Sequence, residues 1–118
     1  MAIARSDGAS ALLPPMKTLV IPPAAKRDEN SIQMLSAWIA EQGLHCTLNI
    51  GMWDSAGHDE PKAWGILLAD VVLHISNAIG ESKGTPSEQV LLEIFDSLRN
   101  ELDDPTSPAK GEFHFGHS

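Results

Sequence analysis

Apolar and polar positions alternate most cleanly over residues 43–54. Leu44, Cys46, Leu48 and Ile50 fall on one face of an extended strand, and His45, Thr47 and Asn49 fall on the other. One face would belong to a core, while the other offers an imidazole, a hydroxyl and an amide. Upstream, Lys17-Thr18-Leu19-Val20-Ile21 is a short β-prone run stopped by Pro22-Pro23, which predicts a first strand. Ile32, Leu35, Trp38 and Ile39 then recur at helical spacing. Asp28 or Asn30 would cap that helix, and Gly43 would end it.

Residues 51–60 read as a loop, and Pro61 suits the first turn of a second helix, with Asp59 or Glu60 well placed near its N-terminus. Its apolar stripe is Trp64, Leu67 or Leu68, Val71, Ile75 and Ile79, with Gly80 as the stop. Thr85-Pro86-Ser87-Glu88 has the form of a capping box with Pro at the first helical position. The third helix would bury Leu91, Ile94 or Phe95, Leu98 and Leu102, and Pro105 would end it.

Strand, helix, strand, helix, helix in that order predicts an α+β fold, a small sheet packed by helices. Two strands around a crossover helix suggest a right-handed parallel unit, with an antiparallel arrangement as the alternative. Two strands are marginal alone. Strand 44–50 also has no Lys, Pro or bulge to guard an edge, so a second copy is the simplest way to complete the sheet. Residues 1–15 and 105–118, with Pro, Gly and Ser and no sustained period, are expected to be a disordered and a flexible tail around one domain at 16–104. So small a domain buries a modest share of its surface, and association is a common remedy.

The formal charge of -8 argues against a nucleic-acid partner, because the eight basic residues are scattered singly. It equally disfavours an anionic membrane surface. No apolar run approaches the roughly 20 residues of a spanning helix, and the run at 9–13 is too short for a signal-peptide core. A cytoplasmic location is expected. The single Cys46 permits no internal disulfide.

Candidate chemistry is sparse. His45 and Cys46 are strand neighbours and point to opposite faces, which argues against a nucleophile pair. Cys46 reads as a small hydrophobe. His45, Asp54, His58, Asp59, Asp70 and His74 match no metal-ligand spacing, so no metal and no cofactor is predicted. Asp70 and His74, four apart on the second helix, can touch, either as a weak surface pair or as a carboxylate orienting an imidazole. Trp38 and Trp64 sit at core spacing. Trp53, beside Asp54 at the end of a strand, could cover the core, line a pocket or anchor an interface. In Phe113-His114-Phe115-Gly116-His117 an inert end outweighs a loose metal catch or a docking segment.

Three stretches carry a resemblance: Gly43-Leu44-His45-Cys46, Asn49-Ile50-Gly51-Met52-Trp53 and Ala63-Trp64-Gly65-Ile66-Leu67-Leu68-Ala69-Asp70. Over about residues 18–79 the chain resembles an uncharacterised bacterial family of short proteins, a domain of unknown function. That resemblance implies a bacterial, cytoplasmic α+β protein and carries over no site residue.

These readings converge on a non-catalytic, homodimeric binding or accessory module with a protein or small-molecule partner. The alternative is a small enzyme or small-ligand-binding protein with a polar pocket at His45, Asn49, Trp53 and Asp54, joined by Asp70 or His74. A third reading gives it a structural role in a larger complex, through the acidic third helix.

Overall fold

The computed structural model describes residues 17–106 and 110–115. The expected tail at 1–15 lies outside the described residues. Two compact units divide the chain, one ending at Ile32 and the other starting at Gln33.

In the first unit Lys17–Ile21 is not a strand. It has no regular structure, and Leu19 and Val20 are almost fully exposed. β-propensity describes how well a side chain fits a paired, half-buried surface, and no described strand pairs with this segment. Helix α1, Pro23–Arg27, follows directly, with Pro22 at its N-cap and Pro23 in its first turn. Asp28, expected to start a helix, ends this one. Its Oδ1 accepts from the Asn30 N–H at 2.9 Å, an Asx-type turn.

The second unit opens with a correction. Residues 35–40 form strand β1 (Leu35–Ala40), not a helix. β1 pairs antiparallel with β2 (Gly43–Ile50), Trp38 opposite His45. The hairpin turns through Glu41 and Gln42, both in the left-handed region at φ 50° and 65°. Such turns usually carry Asn or Gly, so this one had no signature in the sequence. Gly43 opens β2 instead of stopping a helix. The Trp38 Nε1–H donates to Ser36 Oγ at 2.9 Å, a contact between positions i and i+2 on one strand face.

Within the stretch read as a flexible C-terminal tail, Lys110–Phe115 forms β3, parallel to β2, with His114 in register with Asn49. The sheet order is β1-β2-β3. β2 is therefore central, and both its edges are paired. The unguarded edge expected of strand 44–50 does not exist, and a dimer cannot form by pairing along it.

β2 is followed by Gly51, whose φ of 98° admits little but glycine. The chain then makes a one-turn helix α2 (Met52–Ser55) and the long helix α3 (Glu60–Lys83), where a loop was expected up to residue 60. Asp59 caps α3, its Oδ1 accepting from the Lys62 N–H at 3.2 Å, and Pro61 lies in the first turn as expected.

The single stripe expected on α3 is replaced by two faces. Near the start Glu60, Ala63, Trp64 and Leu67 are half-buried; further on Val72 and Ile79 are half-buried and Ser76 and Gly80 buried. At 100° per residue these sets are roughly opposite. One end of α3 therefore faces α2 and the other faces the next helix, leaving Leu68, Val71 and Ile75 exposed.

Gly80 lies inside the helix, which continues to Lys83 and stops at Gly84 in the left-handed conformation. Glycine at 80 has a packing reason. A Cβ there would lie 2.7 Å from the Thr85 carbonyl oxygen, so the chain can fold back only past a bare backbone. Helix α4 (Ser87–Asp103) then runs with Pro86, not Thr85, at its N-cap and no side-chain cap bond. The capping box is thus not formed, although the helix it signalled is present.

Candidate functional site

The three polar side chains of β2 differ in their access to solvent. Asn49 is buried (5% exposed) and its backbone N–H donates to the Met34 carbonyl at 3.0 Å. His45 is half-buried and Thr47 exposed, while on the other face Leu44 is exposed and Cys46, Leu48 and Ile50 are half-buried. Burial does not sort by face, and the one buried residue of the strand, Asn49, lies two residues before Gly51.

At that enclosed end the chain gathers around Glu60. Its Oε2 accepts from the Gly51 N–H at 2.9 Å and from the Trp64 Nε1–H at 3.0 Å, and its Oε1 accepts from the Asp54 N–H at 2.8 Å. The Trp64 ring meets Trp53 edge to face, with centroids 5.4 Å apart at 83°. The Gly51 N–H is the largest influence holding the Glu60 carboxyl below its ordinary range. Partial desolvation opposes it, and the Asp54 N–H, the Trp64 indole and the Trp53 N–H add to it. A carboxylate that is ionised and occupied by donors is a poor proton shuttle, and a good tie between the end of β2, α2 and the first turn of α3.

Sequence reasoning placed Glu60 near the helix N-terminus but missed this role. Its signal was a carboxylate four residues before an indole on one helix face.

The six candidates do not form one site. Trp53 belongs to the Glu60 cluster by its ring and Asp54 by its backbone N–H; the Asp54 side chain is exposed, and Asn49 leads into the cluster along the chain. His45 lies four residues back along β2, about 13 Å away at strand rise. Asp70 and His74 are exposed on α3, about 15 and 21 Å along the axis from Glu60. No bond between these two is present among the described residues. Asp59 is occupied with its cap. Among the described residues no three His, Cys, Asp or Glu side chains gather as a metal site.

The concavity that sequence reasoning missed lies on the helices. An open groove of about 750 Å³ runs along α4, with Ile79 of α3 and Val90, Ile94, Leu98 and Leu102 as its apolar lining. Glu93 and Glu101 also border it. Glu101 is held by the Thr106 N–H and hydroxyl, at 2.6 and 2.8 Å, and these bonds lower its pKa. The acids of α4 named above are all exposed.

One expectation about membranes needs correcting. α3 contains an 18-residue window of mean hydropathy 1.4, so by length and composition it is long and apolar enough to cross a membrane. Counting uninterrupted apolar runs missed it, because Asp70, His74 and Asn77 break the run without lowering the average far.

Among solved structures, the chain is similar to one described as "Structure of a putative pyruvate dehydrogenase from the photosynthetic bacterium Rhodopseudomonas palustrus CGA009". Identity is 24%, the match covers 85% of this chain and 97% of that one, and the TM-score is 0.64. At that identity the likeness concerns the fold. No curated protein matches. Residues 18–106 match the family described as Domain of unknown function (DUF5076), and on that match, which takes in both helices and the Glu60 cluster, the chain belongs to this family.

Proposed function

We propose that this chain is a non-catalytic binding or accessory module that works as a homodimer in the bacterial cytoplasm, with a protein or small-molecule partner. The observation that carries the reading is the apolar surface of the α3–α4 hairpin. Leu68, Val71 and Ile75 on one side of α3, and Phe95, Leu98 and Leu102 on one side of α4, are all exposed, whereas Val90 is the one buried large apolar residue among those described. Monomers seldom leave that much contiguous apolar surface to water.

The reading as a small enzyme or ligand-binding protein has less support. His45 lies apart from Trp53 and Asp54, and the groove lies on α4. The enzyme named for the Rhodopseudomonas structure brings no site residue to this chain. Light scattering at micromolar concentration tests the dimer. The expected mass is twice the 12.7 kDa of one chain, and a clean single-chain mass contradicts the reading.

A further inference from the structure

The run Lys17–Ile21 has the residue types of a strand, yet no described strand of its own chain pairs with it. Leu19, Val20 and Ile21 are 95%, 88% and 60% exposed, and no backbone bond of residues 17–21 is present among the described residues. The family match begins at residue 18, so the run belongs to the domain that the family shares. Pro22 and Pro23 have no N–H and end it, which leaves five residues, roughly 17 Å at strand rise.

The same chain holds an open strand edge. β1 lies on one side of the sheet, next to β2 alone among the described strands. The Asn49 N–H donates to the Met34 carbonyl, and Leu35 is in register with Leu48, so the even-numbered residues of β1 bond to β2. The N–H and C=O groups of Leu35, Ala37 and Ile39 therefore point away from β2. Proteins usually guard such an edge with charge, Pro or a bulge. β1 has no charged residue and no Pro, its register with β2 is unbroken, and Ala37 and Ile39 are exposed.

We infer that Lys17–Ile21 of one copy adds as a strand to the outer edge of β1 in a second copy, and that the second copy returns the same contact. This rests on the homodimer reading above and adds a strand exchange to it.

The occupant follows from what each half lacks. An open edge takes a main chain whose own N–H and C=O groups are free, and the run supplies one. It is nearly as long as β1, and it brings Leu19 and Val20 to pack beside Ile39, which is 81% exposed. Every chain carries both halves in equal number. Exchange of one segment about a two-fold axis is a low-cost route to a dimer. It also gives a partner to a strand-forming sequence that has none among the described strands of its own chain.

NMR-detected amide exchange on the full chain, with two proline variants, tests the contact. In the dimer the Ala37 and Ile39 amides should exchange about tenfold or more slower than open-edge amides, and should lose that protection on dilution. Leu19 and Val20 are neighbours, so their N–H groups face opposite sides of a strand, and only one of Leu19→Pro and Val20→Pro removes a ladder donor. That variant should abolish the protection and raise the dimer dissociation constant on the order of a hundredfold, because two-fold symmetry removes the contact twice. The other should change both far less. If a variant fails to fold, dilution of the wild type still decides. A wild-type dimer whose Ala37 and Ile39 amides exchange freely, or stay protected in both variants, overturns the strand exchange and leaves the homodimer reading intact. Protection that persists in a dissociated sample overturns the exchange as well. A wild type that is monomeric at micromolar concentration overturns both.

Discussion

The Glu60 junction and the α3–α4 hairpin differ in what they leave unfinished. At the junction three N–H donors from Gly51, Asp54 and Trp64 converge on one carboxylate, and the Trp64 indole meets Trp53 edge to face. Its polar groups are answered within one chain. The hairpin is the reverse: its two helices touch at the turn around Gly80, and beyond it Phe95, Leu98 and Leu102 face water. Polar groups impose directional demands that a fold must meet locally, since an unmet buried donor costs as much as a lost bond. Apolar surface is non-directional and can wait for another chain. The part of this molecule that lacks something is therefore its apolar part, and an assembly partner is the natural remedy.

The largest effect expected from breaking this contrast is at Phe95. A half-exposed Phe in a lone chain would lose less than about 1 kcal/mol on Phe95→Ala, as surface substitutions do. Covered by a second copy, it should lose about 2–4 kcal/mol, comparable to truncating a core aromatic or an interface hot spot. Urea denaturation at one fixed protein concentration reads the difference directly, and the small value would return the hairpin to a single-chain account.

Gly80→Ala should cost less, about 1–2 kcal/mol. The new methyl meets the Thr85 carbonyl oxygen at 2.7 Å, and the overpacking outweighs the helix propensity gained. A neutral or stabilising result would mean that the turn relaxes easily.

Glu60→Gln should have the smallest effect and change the acid limb of the stability curve. The carboxyl of Glu60 is held below its ordinary range, so its contribution is full above that range and is lost as pH falls through the lowered value. The variant should lack this loss, and indole emission from Trp53 and Trp64 should report a looser junction. An unchanged acid limb would show that the three donors find equal partners elsewhere.

Where the sequence carried a distinctive local signal, the element could be read from it. Strand alternation at 44–50, the Asp59 cap with Pro61, and Thr85-Pro86 before an apolar arc all marked real elements. β1 was misread because Leu35, Trp38 and Ile39 satisfy a helical period as well as a strand, and what decided between them was the pairing across Glu41-Gln42. Lys17–Ile21 failed in the opposite way, with strand propensity but no described partner. β3 carried a clue in the alternation Phe113-His114-Phe115, but its pairing with β2 is non-local.

The candidate site was the least legible. His45, Asn49, Trp53 and Asp54 are close in sequence, yet the groove of α4 depends on how two helices diverge, which no local pattern encodes.

Amide hydrogen exchange at high and at low protein concentration tests the central contrast most directly. Protection of the α4 amides from Phe95 to Leu102 should fall on dilution, while the Gly51 and Asp54 amides held by Glu60 keep theirs. Strong α4 protection in a sample shown to be monomeric would contradict the account, because the hairpin would then be complete in one chain.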